Sequence, residues 1–143
     1  MTVKKIMSHT VVTVKMDDDL SQVRELFEEQ KFHHLLVTDN GRLVGIISDR
    51  DILKTVSPYV GTPAETTHDT ATLNKRAHQI MSRNPVTVGP DSELFDAVEL
   101  FNHKGVSCLP VVDDQFQPIG IVTWRDILKT IEVISRKKQQ TRH

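Results

Sequence analysis

The sequence predicts an α+β protein made of two β-α-β-β-α repeats, packed together as an intramolecular pseudo-twofold pair. The first observation is a repeated stretch: GIISDRDILKT fills residues 45–55, and GIVTWRDILKT fills residues 120–130. The second is that the match runs well beyond it. IMSHTVVTVKMDDDLSQVRELF from Ile6 is answered by IMSRNPVTVGPDSELFDAVELF from Ile80, and HLLVTD by CLPVVD. Ile80 and Asp113 follow Ile6 and Asp39 by 74 residues, whereas Gly120 follows Gly45 by 75, so one residue is inserted in a loop, where insertions are tolerated. The third is that each copy switches from β-branched runs to helical spacing and back in the same order. Two repeats are too few for a solenoid, and a pair burying its faces against each other fits better.

Each copy opens on a short β-branched strand, VVTV in the first and VTV in the second. Asp17–Asp19 and Asp91–Glu93 then supply helix N-cap chemistry and negative charge at the positive helix end. Leu20, Val23, Phe27 and Gln30 continue at helical spacing, as do Leu94, Ala97, Val98 and Phe101. HLLVTD–NGR–LVGIIS reads as strand, tight turn and strand, with Asn40-Gly41 suited to a type I′ hairpin. A second helix starts at Asp49 and its counterpart at Trp124, with Ile52, Leu53, Ile127 and Leu128 expected in the core. These elements divide the chain into repeat one (1–57), a linker (58–75), repeat two (76–135) and a basic polar tail (136–143). The linker, PYVGTPAETTHDTATLNK, is rich in Thr, Pro and Gly, as surface connections are.

The bulk properties exclude several classes. A net charge of −1 with both signs interspersed provides no field that would draw the chain to nucleic acid or a membrane surface. No apolar run approaches a membrane span, and the first residues lack the apolar region of a signal peptide. The single cysteine, Cys108, permits no intrachain disulfide and fits a reducing, cytoplasmic setting.

The repeated eleven residues have two readings. In the structural one, Ser48-x-x-Asp51 and Thr123-x-x-Asp126 are capping boxes at helix N-termini, and Gly45 and Gly120 relieve crowding in a strand. In the ligand reading, the same glycine lets a flat molecule approach the backbone, and the hydroxyl sits beside free N–H groups that favour an anion. The carboxylate then accepts from the vicinal hydroxyls of a ribose. Gly, hydroxyl and Asp at this spacing suit a nucleoside phosphate.

With both copies of Gly-h-h-[Ser/Thr]-x-x-Asp intact, and with the IMS…VTV openings and the LPVVD-type strand, the chain resembles a CBS-domain pair, or Bateman module, over about residues 4–133. That resemblance implies ligand clefts between the repeats for adenosine-containing molecules: AMP, ADP or ATP first, with NAD and S-adenosylmethionine as further members of the class. It implies that Asp51, with Gly45 and Ser48, meets Met81, Val86, Ser107 and Cys108 from the opposite repeat. Asp126, with Gly120 and Thr123, would likewise meet Met7, Val12, His33 and His34. A basic residue at the position of His33 or His34 faces phosphate in such proteins, so the Asp126 cleft is expected to be the better phosphate site. Asp49 is expected to weaken the other cleft by repulsion. The resemblance also implies a disc-like homodimer through outer helices bearing Ile52, Val56, Ile127 and Ile131, and an output through a separate, unidentified protein.

No catalytic or metal site is expected. His33 and His34 are adjacent on a strand and point to opposite faces, so they cannot chelate one ion together. Cys108 lies in an apolar strand, Asp17–Asp19 form a cap, and there is no phosphate-binding glycine loop or base–nucleophile pair. No cofactor is obligatory. The rival reading is a structural dimerisation module whose clefts are vestigial, with both aspartates retained as caps.

Overall fold

The computed structural model describes residues 1–30 and 32–141. The chain is mixed α and β and divides into two compact units, one formed by residues 12–85 and the other by residues 1–11 together with 86–143. The units therefore do not follow the sequence repeats. Each repeat's opening segment packs in the unit built by the rest of the other repeat.

In the continuous unit, β1 (Thr13–Lys15) leads into α1 (Leu20–Glu29), followed by β2 (His34–Asp39), β3 (Arg42–Ser48) and α2 (Asp49–Thr55). Next come α3 (Thr67–Ala71), α4 (Ala77–Ile80) and β4 (Ser82–Arg83). The sheet order is β1-β2-β3-β4, with β1 parallel to β2 and the other pairings antiparallel. Asn40 (φ 51°) and Gly41 (φ 80°) both take the left-handed conformation that a type I′ turn requires. Asp19 caps α1 in a reciprocal box with Gln22, which offsets orphan N–H groups of the first turn. The core is aliphatic: Leu20, Val23, Leu35, Val37, Ile47, Ile52, Ala77 and Met81 meet there.

The split unit contains α5 (Leu94–Lys104), β5 (Cys108–Val112), β6 (Pro118–Thr123) and α6 (Trp124–Thr141). Its outer strands shrink to single bridges, Val88 beside Val111 and Ser8 beside Ile121. The expected VTV strand is thus one parallel bridge. Val3 and Met7 from the N-terminal segment join Val88, Ala97, Leu109, Val111, Val122 and Ile127 in its core. Glu93 sits at the N-cap of α5 without making a cap bond, and its carboxylate lies 3.4 Å from the Met1 amine. The tail continues α6 as helix through Thr141, while Arg142 and His143 lie outside the described residues.

One expectation fails in both units. Ile52 and Ile127 are buried, but Leu53 is 80% and Leu128 53% exposed. Successive helical residues point about 100° apart, so only one of each pair can face its core. Ile52 and Ile127 are for the same reason removed from any outer surface; Val56 is half-buried and Ile131 exposed. The stretch read as a linker also carries more order than its composition suggests. Besides α3 it holds a 3₁₀ turn at Thr72–Asn74, pinned by Asp69, the one buried polar residue among those described.

Candidate functional site

Each repeated motif builds a strand-to-helix junction. Ser48 ends β3 in an extended conformation and caps α2. Its N–H donates to Asp51 Oδ2 (2.8 Å), its hydroxyl donates to the same oxygen (3.0 Å), and the Asp51 N–H donates back to Ser48 Oγ (3.3 Å). Thr123 and Asp126 repeat this at 2.8, 3.0 and 3.3 Å. A third junction of the same type occurs at Thr66 and Asp69, at 2.8, 3.0 and 3.4 Å. The three differ in the second carboxylate oxygen. Asp69 Oδ1 accepts from the Ser57 hydroxyl at 2.7 Å. Asp51 Oδ1 and Asp126 Oδ1 accept no hydrogen bond among the described residues, and both side chains are half-buried. The cap alone therefore leaves one acceptor unused at each repeated site.

The glycines have a definite neighbour. A Cβ at Gly45 would overlap the Met81 sulfur, with Met81 Cγ only 2.8 Å away; at Gly120 it would sit 2.5 Å from the Met7 sulfur and 3.0 Å from the Ser8 carbonyl oxygen. A β-bulge immediately precedes each glycine, shifting the ladder by one residue between Val37 and Thr38 and between Val111 and Val112. After that shift His34 stands opposite Ser48, and Cys108 opposite Thr123. Cross-strand partners project to the same face, so each junction receives the first residue of the preceding strand.

The structure thus brings Met81 to Gly45 and Met7 to Gly120. Val12, His33 and His34 belong to the unit of Ser48 and Asp51, and Val86, Ser107 and Cys108 to the unit of Thr123 and Asp126. His33 Nδ1 lies 2.9 Å from Asp49 Oδ2, and the Asp49 N–H donates to the His33 carbonyl. The sequence reading missed this hydrogen bond, and the bulge that sets the local register has no mark in composition. Burial acts to raise the Asp49 carboxyl, but the His33 hydrogen bond and the charges of His33 and His34 outweigh it and hold the group below its ordinary range. Burial lowers the His34 imidazole, against the opposing pull of Asp49 and Asp51. In the other unit Cys108 is buried and its thiol is pushed up to about 12, which leaves no thiolate for nucleophilic chemistry. Trp124 takes the place of Asp49 and is exposed.

Two CBS-domain matches, over residues 3–58 and 77–133, coincide with the two motif-bearing repeats. The chain belongs to the CBS-domain family. A CBS domain-containing protein of Dictyostelium discoideum is 37% identical over 128 residues, covering 88% of each chain. A homoserine O-acetyltransferase of Methanohalobium evestigatum is 31% identical over 136 residues, but this chain spans only 25% of its length. Among solved structures, the CBS-pair protein CBSX2, crystallised with AMP, superposes with a TM-score of 0.77 at 28% identity, covering 94% of this chain and 98% of that one. The CBS domain pair of protein MJ0100, solved with 5′-methylthioadenosine and S-adenosyl-L-methionine, gives 0.74 at 28% identity, covering 92% and 99%.

Proposed function

We propose that this CBS pair is a regulatory module that binds an adenosine-containing ligand, AMP, ADP or ATP before NAD or S-adenosylmethionine, and acts by a change of conformation or assembly on a separate protein. The observation that carries the reading is the second carboxylate oxygen of Asp51 and of Asp126, which accepts no hydrogen bond among the described residues. An identical cap at Asp69 has that oxygen satisfied within the chain, so capping does not explain why the repeated pair leave it open. A ribose hydroxyl is the donor that fits, and the AMP and S-adenosylmethionine complexes of the similar CBS pairs agree with it. A cytoplasmic setting belongs to the same reading, as does self-association through the exposed face of α6, where Trp124, Leu128 and Ile131 recur at helical spacing. No helix among the described residues is long and apolar enough to cross a membrane.

The test is titration calorimetry with AMP on Asp51→Asn, Asp126→Asn and the double variant. Asparagine keeps the cap's shape but turns one acceptor into a donor, so each single variant is expected to lose one site by about tenfold or more and the double variant both. Unchanged affinity in all three overturns the reading. The second reading, a dimerisation module with vestigial sites, is favoured by one observation: the Met81 and Met7 thioethers already occupy the space over Gly45 and Gly120. It predicts no heat from AMP and a dimer that Leu128→Glu converts to monomer by light scattering.

A further inference from the structure

Each unit is completed by the opening segment of a repeat, and the two segments dock alike. In the split unit the Val3 and Lys4 N–H groups donate to the Ser92 and Pro90 carbonyls at 2.8 and 2.9 Å, and the Met1 carbonyl accepts from the Leu94 N–H at 2.9 Å. In the continuous unit Ala77 and His78 donate to the Asp18 and Met16 carbonyls at 2.8 and 3.1 Å, and Lys75 accepts from Leu20 at 2.9 Å. Ser8 pairs with Ile121 as Ser82 pairs with Ile46. Val3 and Ala77 are fully buried, and Met7 and Met81 lie over the two glycines. The connections leading into the two segments differ while the docking does not, so the seat selects the segment itself. The seat in the split unit also needs an occupant. Glu93 makes no cap bond, and the Leu94 N–H at the start of α5 is satisfied by the Met1 carbonyl. On the edge of β6, the Ile121 N–H and carbonyl both bond Ser8, at 3.0 and 2.9 Å. The hinge behind this occupant is short. Ser8 is bonded in the split unit and the Val12 carbonyl accepts from the Leu36 N–H (3.1 Å) in the other, so His9, Thr10 and Val11 join the two. A short hinge favours trading an element between copies.

We propose that residues 1–8 are a swappable arm: in a pair of copies, each chain lays this segment in the other's seat at the start of α5 and the edge of β6. Reciprocal donation leaves no seat empty, so the pair closes as a twofold dimer and does not propagate. The arm keeps the same bonds and apolar contacts in both forms, which differ at the hinge and in the entropy of association. The swapped dimer is therefore favoured by protein concentration. Because Val3 and Met7 must leave their core before the arm can move, the two forms interconvert slowly once folded. This assembly is separate from contact through the exposed face of α6 and does not depend on the ligand reading.

Paired cysteine variants of the full chain test this. Thr2 and Glu93 form an antiparallel pair flanked by the bonds of Val3 and Leu94, the closely spaced kind with Cα atoms about 4.5 Å apart, within disulfide range. Chains carrying Thr2→Cys and chains carrying Glu93→Cys are unfolded together, refolded under reducing conditions and then mildly oxidised. Cys108 is buried with its thiol pushed up to about 12, so it does not compete. A disulfide-linked heterodimer is expected, its ratio to monomer rising about tenfold for each tenfold rise in refolding concentration while monomer predominates. The link is expected to persist when both chains also carry Leu128→Glu. It is expected to be lost when Thr2→Cys is paired with Gln115→Cys, in the exposed turn between β5 and β6. The chain carrying both Thr2→Cys and Glu93→Cys, refolded dilute, is expected to close its disulfide within the monomer. Absence of heterodimer at every concentration while that chain closes its own disulfide would overturn the swap. Equal yield with Gln115→Cys would do the same, and loss of the link in Leu128→Glu would assign it to contact through α6. A doubly substituted chain that forms no disulfide would overturn the seat itself, and the swap with it.

Discussion

The Ser48–Asp51 and Thr123–Asp126 junctions have the same three cap bonds at the same lengths, and each has a methionine laid over its glycine. Their surroundings share little. One has His33, His34 and Asp49; the other has Ser107, Cys108 and Trp124 in the matching places. The comparison separates what a duplicated motif must keep from what it is able to vary. The cap and the glycine set backbone geometry, and altering them costs stability. The first residues of β2 and β5 and the first residue of each following helix touch that geometry without setting it, so they are where two copies diverge in chemistry.

The largest expected effects test whether the two copies are equivalent as scaffolds. Ile52→Ala and Ile127→Ala each remove a buried side chain and are expected to cost about 2–5 kcal/mol by chemical denaturation, while Leu53→Ala stays within about 0.5 kcal/mol. A large loss at Leu53 would mean that this face of α2 is covered in solution. Next come the glycines. Gly45→Ala and Gly120→Ala are both expected to destabilise by about 1–3 kcal/mol, with Gly120→Ala the worse. At Gly45 the obstacle is the flexible Met81 side chain, whereas at Gly120 the Ser8 carbonyl, held by bonds in both directions with Ile121, is also in the way. Equal losses would show that the Ser8 bridge yields as easily as a side chain.

The smallest effect is the pH dependence of stability without ligand. His34 has a lowered folded pKa, so stability is full above about 6.5, where the imidazole is neutral in both states. It declines as pH falls through the folded value, because the unfolded chain takes up the proton more readily. His34→Gln is expected to flatten denaturation midpoints between pH 7.5 and 5.5. Asp49, whose carboxyl is lowered, contributes above its ordinary 3.8 and loses that contribution only as pH falls further, so the two groups act in separate windows. A slope between pH 7.5 and 5.5 that survives His34→Gln would place the titrating group elsewhere.

Local chemistry was legible in the sequence wherever the deciding atoms were close along the chain. Asn40-Gly41 announced its turn, and Ser48-x-x-Asp51 its cap, because each closes within three residues. The faces of α2 and α6 were not readable from adjacent apolar pairs, since Ile52-Leu53 and Ile127-Leu128 are consistent with either rotation. The register at His34 depended on a bulge that no residue type marks. Above all, the exchange of opening segments rests on contacts such as Thr2 with Glu93 and Ser8 with Ile121, which no local pattern encodes. No local pattern therefore shows which unit each aspartate's neighbours join.

That exchange has a consequence for how the chain is made. A ribosome that has released residue 85 has supplied everything the continuous unit contains, from Val12 through its last strand at Arg83. The other unit cannot close then. Val3, Met7 and Ser8 emerge first, but their partners at Val88, Ser92 and Ile121 come last. Residues 1–11 therefore wait, with Val3 and Met7 lacking their core partners, while the continuous unit can form behind them. Domains fold as their residues emerge, N-terminal ones first as a rule. In this chain residues 1–11 find their partners only after the whole continuous unit has been supplied, against that order.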